Sequence, residues 1–383
     1  MRLALTEEHL RLRADFDRFA REKILPYAAE IDEQEQVPRH IIEDLAQAGY
    51  FASGLPEDFG GIHEDPVLHG LMHEAMGGAS ASVQGVLNVH HMAASPIMRW
   101  GTAEQKALWL PRLACGSHTA AFAITEPRAG SDAAAVETQA ERQGDEWVLS
   151  GVKKWITCGA HADVFVMLAR CPKGPTVFIV PADSPGLKRR PITGLLGCRG
   201  YMLAELVLDQ VRLPANALLG AQGFGLTHIA SVGLDAGRYN LAWACVGMAE
   251  ACLKDSKDYA SKRTQFGSQI HEFQLIAQMI TQMIVSVRAA RLLCWQAAHA
   301  RQEQTESAGL DAMIAKYYAS TTLNDVAAKA LQVHGAVGVA AGSPIQRHLR
   351  DARIMEIIET STQVLELMIA KLDRAAEMED WDD

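Results

Sequence analysis

The sequence predicts an α+β multidomain protein: an N-terminal α-helical domain (1–118), a central β-barrel or sandwich domain (119–222) and a C-terminal four-helix bundle (223–383). Three observations carry this reading. From Thr6 to about Cys115 apolar residues recur at helical spacing. Between Thr119 and Leu218 the period falls to two and β-branched residues accumulate. From Gly223 onward Ala, Met and Leu return to helical spacing over four long stretches.

In the first part Leu10, Phe16, Phe19 and Ala20 form one apolar stripe, Ile41, Ile42, Leu45 and Ala46 a second, and Ala107 with Leu110 a third. Thr6 before Glu7 and Glu8, and Thr102 before Glu104 and Gln105, read as helix starts. There a hydroxyl accepts from a free first-turn amide, and carboxylates favour the positive end of the helix dipole. In the middle part Glu146–Leu149, Val164–Met167 and Thr176–Val180 read as short strands, Gly144-Asp145 as a hairpin turn, and Pro214 with Gly220 as the close of the region. In the last part helices are expected near 239–262, 272–302, 309–334 and 361–377, with breaks at Gly267, Gly309 and Gly335 to Gly342, which suits an antiparallel bundle. The chain shows no internal repeat and no low-complexity segment.

Composition narrows the function classes. With 49% apolar residues among 383, the chain can bury a large core in two or three domains. A net charge of −10 argues against a nucleic-acid or anionic-membrane surface, so an anionic ligand must meet a local cluster of Arg or Lys. The cysteines (Cys115, Cys158, Cys171, Cys198, Cys245, Cys252 and Cys294) are odd in number and never spaced C-x-x-C, as expected of reduced thiols. The N-terminus shows no apolar signal core, and the most apolar run, Leu241 to Leu253, is too short to span a bilayer and contains Glu250. A soluble cytoplasmic protein is expected. His90 and His91 are adjacent and point to different faces, and no third histidine has H-E-x-x-H spacing, so no metal site is expected. The glycine-rich Gly220–Gly225 lacks the Rossmann order, which disfavours nicotinamide.

The chemistry-bearing segment is Phe122-Ala123-Ile124-Thr125-Glu126-Pro127-Arg128-Ala129-Gly130-Ser131-Asp132, followed by Trp155-Ile156-Thr157 at the end of an expected hairpin. An indole wall, hydroxyls and exposed backbone N–H groups suit a planar cofactor with a polar edge and a phosphate. Taken alone, the segment also reads as a solvated turn. The order and spacing of the two pieces resemble the flavin-binding signature of the acyl-CoA dehydrogenase family, and the helical, β, helical layout is also that family's.

The resemblance extends over nearly the whole chain and implies a site residue by residue. Ile124, Thr125, Ser131, Trp155, Ile156 and Thr157 match positions at the flavin. Arg263-Thr264-Gln265-Phe266-Gly267 with Phe273-Gln274, and Gln332-Val333-His334-Gly335-Ala336, match the segments that reach the adenine and phosphate half of a FAD held by a neighbouring subunit, which implies a homodimer or homotetramer. An Arg at 263 would pair bidentately with a pyrophosphate, although alone it also reads as a cation at a helix C-terminus. Ile357-Ile358-Glu359-Thr360-Ser361-Thr362-Gln363 matches the segment of the catalytic carboxylate, with Glu359 as the base and Ser361 and Gln363 at the cofactor. Without the resemblance a Glu before a helix reads as a solvated N-terminal residue. In some branches the base stands just before the arginine of the Asp235-Ala236-Gly237-Arg238 segment; here that position is Gly237. Asp235, Arg238, Thr360 and Ser131 match residues of the thioester channel.

The implied activity is FAD-dependent α,β-desaturation of a short to medium acyl-CoA, with an electron-transfer flavoprotein as acceptor. An alternative exchanges CoA for an acyl or peptidyl carrier protein of polyketide or nonribosomal peptide assembly. A non-catalytic flavin-binding scaffold is the third reading, and the presence of Glu359 argues against it. Five positions depart from the family pattern: Thr360 for Gly, Ala336 for Gly, Gly342 for an acidic or amide residue, Arg128 for Gly, and Tyr201-Met202 for Ser-Asp. Arg128, Tyr201 and Thr360 are expected near the acyl-thioester entrance, where bulk would shorten the acyl pocket or change the carrier.

Overall fold

A computed structural model describes residues 5–62 and 64–379. The outermost residues of the first and last expected domains, 1–4 and 380–383, lie outside the described residues. The N-terminal part is helical: α1 (Glu7–Phe19), α2 (Ala28–Gln34), α3 (Arg39–Gln47), α4 (Pro66–Ala79), α5 (Ala81–Trp100) and α6 (Ala103–Ala114). Thr6 and Thr102 cap α1 and α6 as expected, each hydroxyl accepting from the third amide of its helix. Ser80 caps α5, which is buried along nearly its whole length because α4, α6 and later elements enclose it.

The middle part is β1 (Ala120–Ala123), β2 (Gln139–Gln143), β3 (Glu146–Ile156), β4 (Val164–Cys171), β5 (Gly174–Pro181), β6 (Leu187–Pro191), β7 (Ala204–Pro214) and β8 (Leu218–Leu219). β2 and β3 pair antiparallel around the expected Gly144-Asp145 turn, with Gln143 opposite Glu146. The strand order is β6-β7-β3-β2-β4-β5-β8, with β1 beside β4. The expected barrel is not closed. β2 touches β4 through the single pair Gln139 and Arg170, and the two end strands remain edges. Alternation in the sequence specifies strands, not closure, and the edge strand β6 carries exposed Lys188, Arg189 and Arg190, charges that oppose further pairing.

The last part is α7 (Ser231–Lys262), a small hairpin of β9 (Thr264–Gln265) and β10 (Ser268–Gln269), then α8 (Gln274–Gln302), α9 (Ala308–His334), the short α10 (Ala336–Val339), α11 (Pro344–Met355) and α12 (Thr362–Glu379). α7, α8, α9 and α12 are the four expected helices, α7 starting earlier than expected. α11 lies in what reads from the sequence as a connection, because Arg347, His348 and Asp351 on its buried side mask the apolar period. α7 is the central strut and packs against α4, α5, α8, α9 and α11. The cysteines are all free thiols and only Cys115 is exposed. No described helix is long and apolar enough to cross a membrane.

Candidate active site

Glu359 lies in the turn between α11 and α12. It has φ 50° and Thr360 has φ 78°, two successive left-handed residues. Such geometry costs of order 1–3 kcal/mol per non-glycine residue, so the surroundings must hold it. Arg238 on α7 donates to the Thr360 hydroxyl from Nε (3.1 Å) and Nη2 (3.0 Å), and Lys316 on α9 donates to the Thr360 carbonyl at 2.7 Å. A hydroxyl here gives the guanidinium an acceptor that a glycine would not supply.

The Glu359 carboxyl is enclosed although the residue keeps some accessible surface. Asn88 on α5 donates to Oε1 at 3.2 Å. A Cβ built on Gly237 would fall 2.5 Å from Oε2 and 2.8 Å from the Met92 sulfur, so α7 needs a glycine where it faces Glu359. Burial pushes the carboxyl up to about 7, against the opposing pull of Lys316, Arg238 and the Asn88 amide.

One turn earlier on α7, Gly233 meets Met92 and the Phe122 ring, which brings the Phe122–Asp132 segment toward the Glu359 side of α7. The Lys154 amide donates to the Thr125 carbonyl at 2.9 Å, joining the two halves of the signature. Beneath them Lys153 and Glu126 form a buried pair at 2.7 Å, their side chains 0% and 1% exposed. Lys153 also donates to the Ile124 carbonyl, while Glu126 accepts from the amides of Glu137 and Thr138. A register shift in β3 between Lys153 and Ile156, with Trp155 at φ 64°, turns the indole outward, half-exposed, while Ile156 stays buried. The hydroxyls of Thr125, Ser131 and Thr157 have no partner among the described residues.

Arg263 and Gln265 are exposed on the β9–β10 hairpin, whose tip holds Phe266, 97% exposed and set edge-on to Phe273. Arg263 lines a cleft of about 720 Å³ with Tyr259, His334, Val337 and Gly342, while Gln274, Gln332, Gly335 and Ala336 lie exposed nearby in the chain. Val333 is buried against Ala260 and Ile270, so its side chain supports this surface from below.

Family models for the N-terminal, middle and C-terminal domains of acyl-CoA dehydrogenase match residues 6–117, 121–211 and 223–372. The mitochondrial short-chain specific acyl-CoA dehydrogenase of Bos taurus is 33% identical over 96% of this chain and 90% of its own. The chain belongs to the acyl-CoA dehydrogenase family. Among solved structures, butyryl-CoA dehydrogenase of Megasphaera elsdenii superposes with a TM-score of 0.94 at 31% identity, covering 97% of this chain and 99% of that one. The prolyl acyl carrier protein oxidase AnaB superposes with a TM-score of 0.92 at 28% identity, covering 96% and 99%. The chain is thus a flavoprotein oxidoreductase of the type acting on CH–CH bonds.

Other residues expected at the thioester channel make contacts within the chain. Arg238 clamps Thr360, and Asp235 accepts from Arg301 at 2.5 Å, so neither side chain projects freely toward a substrate. Tyr201 is buried, its ring stacked on the gap left by Gly85 of α5, and Arg128 is exposed and pairs with Glu137 at 3.4 Å. Ser361 is half-buried and Gln363 exposed at the start of α12. Asn88 and Lys316 were missed by sequence reasoning. The available signals were a polar residue inside Val86-Leu87-Asn88-Val89 and a lysine amid the small apolar residues of α9.

Three histidines converge although the sequence spacing suggests no such cluster. Ligand atoms of His69, His73 and His91 lie within 4.8 Å of one another, because His69 and His73 share one face of α4. Their nitrogens are already in use. His73 contacts Gln84 and His91, His91 contacts the Tyr50 carbonyl, and His69 contacts Ser53 and Asn240. Burial pushes His73 and His91 down, so both are neutral members of a hydrogen-bonded chain.

The reading of Glu359 as the base carries two expectations. Gly237→Ala displaces the Glu359 carboxyl and is expected to lower turnover about 10²-fold, with circular dichroism and flavin content unchanged; wild-type turnover contradicts the contact. Because a base must be ionised and Glu359 is held near 7, kcat/KM is expected to fall as pH drops through neutrality and to level off above it. A profile flat across neutrality contradicts that assignment.

Proposed function

We propose that this chain is an FAD-dependent acyl-thioester dehydrogenase that desaturates a short to medium acyl-CoA between its α and β carbons. One observation carries the reading: an enclosed carboxylate, Glu359, stands on the same face of α7 that receives the signature loop, with Gly237 and Gly233 one turn apart at the two contacts. The unpartnered hydroxyls of Thr125, Ser131 and Thr157, and the outward indole of Trp155, fit the edge and face of an isoalloxazine ring. Bound FAD would supply the acceptor for the hydride that leaves the β carbon.

The chain's own residues do the rest. Glu359 removes the α proton, and its raised pKa matches the operating range of a general base. Its backbone N–H makes no hydrogen bond among the described residues and is placed to polarise the thioester carbonyl. Arg238, Lys316 and Asn88 hold the base in its strained turn. Tyr201, its ring packed against Gly85, fills space against α5 and favours a short acyl group. An electron-transfer flavoprotein is the expected acceptor.

Arg263, with no charged partner among the described residues, would hold the pyrophosphate of a FAD bound by a neighbouring copy, and Ile124, Ile156, Gln265, Phe266, Phe273, Gln274, Gln332, Val333, Gly335, Ala336, Ser361 and Gln363 complete the cofactor's surroundings. The exposed Phe266, Leu275, Val285, Val337 and Leu367 give a homodimer or homotetramer apolar surface to cover. Arg263→Ala is expected to lower the FAD retained through gel filtration several-fold; unchanged flavin content removes the phosphate role. The similarity to AnaB favours a second reading in which a carrier protein presents the acyl group. A panel of acyl-CoAs, run beside the same acyl groups loaded on a carrier protein, separates the two.

A further inference from the structure

Arg238 on α7 is buried, 6% exposed, yet its guanidinium makes no ion pair among the described residues. Nε and Nη2 instead share one neutral acceptor, Thr360 Oγ1, at 3.1 and 3.0 Å. A guanidinium in such surroundings favours a carboxylate, which can take two of its N–H groups in parallel. The charges of Asp235 and Glu359 both act on it. Asp235, three residues earlier on α7, is paired with Arg301 at 2.5 Å, whereas Glu359 has no ion pair among the described residues. Glu359 also adjoins Arg238 through both chain neighbours: Thr360 follows Glu359 directly, and Gly237, which precedes Arg238, abuts Glu359 Oε2. The residue between them is strained. Thr360 holds φ 78°, where a β-branched side chain is an outlier and a glycine would be free. Lys316 fixes its carbonyl at 2.7 Å, and its hydroxyl is turned to Arg238.

We propose that the Thr360 hydroxyl is a positioning group that parks the Arg238 guanidinium off the Glu359 carboxylate. Without it the guanidinium loses both of its side-chain hydrogen bonds and closes on Glu359, forming the ion pair that the present geometry withholds. The paired carboxylate is less basic, because an adjacent cation favours its ionised form. The other groups of the site are already placed. Lys316 on α9 bonds the Thr360 carbonyl, Asn88 on α5 donates to Glu359 Oε1, and the Tyr201 phenol is kept neutral by burial. The consequence for turnover rests on the acyl-thioester reading above, while the consequence for the titration of Glu359 does not.

The test follows the infrared carboxyl band of Glu359 in the FAD-loaded protein as pH is varied, the band being assigned by its absence from Glu359→Gln. Wild type and Thr360→Ser, which keeps the hydroxyl, are expected to titrate together. Thr360→Gly suits the left-handed backbone and is expected to titrate about one pH unit or more lower, the usual effect of a cation brought against a carboxyl. The acid limb of kcat/KM should move down with it. Adding Arg238→Met to Thr360→Gly should return the titration to the wild-type position or above. Thr360→Ala removes the same hydroxyl and gives a second comparison if the glycine variant does not fold. A variant without the hydroxyl that titrates as wild type does, or one that stays low when Arg238 is also replaced, overturns the proposal. Because the band is read without turnover, that result leaves the dehydrogenase reading standing, and a protein that oxidises no thioester would sink the dehydrogenase reading without moving the band.

Discussion

Glu359→Gln protein is expected to retain FAD and to oxidise acyl thioesters about 10²–10⁴-fold more slowly than wild type. Gln keeps the size of the side chain and can still accept from the Asn88 amide, so the turn held by Arg238 and Lys316 through Thr360 should persist. Only the proton acceptor is lost. Among the described residues Gly237 puts no carboxylate on the opposite wall, and Asp235 is tied to Arg301. Steady-state kinetics with flavin content measured on the same sample decides the matter: near-normal turnover removes Glu359 as the base, and loss of flavin shows a structural role instead.

Glu126→Gln is expected to destabilise the protein by about 3–5 kcal/mol, the usual consequence of leaving one partner of a buried ion pair uncompensated. Lys153 is already pushed down to about 8 by burial, with Glu126 opposing that shift. Removing the carboxylate also weakens its acceptance from the Glu137 and Thr138 amides, which close the base of the signature loop. Lower Tm and lower flavin content should therefore appear together. A variant that melts as wild type does and keeps its FAD would show that the pair neither supports the fold nor shapes the loop.

Local signals were legible in the sequence. The caps at Thr6 and Thr102, the Gly144-Asp145 hairpin and the four long helices each rest on a few adjacent residues. Sheet closure does not. Whether β6 and β8 meet depends on strand register summed around the sheet, and the single β2–β4 pair leaves it open. The same division runs through the site. Glu359 and the signature loop are contiguous motifs, whereas Asn88 reaches Glu359 across 271 positions and His69 meets His91 from another helix. Buried polar residues such as Lys316 and Asp351 look like interruptions of an apolar period until their partners, the Thr360 carbonyl and the Cys198 amide, are in place.

The account rests most heavily on an acyl thioester being oxidised at the bound flavin, and anaerobic mixing tests this directly. Purified FAD-loaded protein is mixed with butyryl-CoA, and in parallel with butyryl on an acyl carrier protein, while the oxidised-flavin absorbance band is followed. The account predicts rapid loss of the band with an acyl thioester in the wild type and its persistence in Glu359→Gln. A flavin that no acyl thioester reduces, on either carrier, contradicts it.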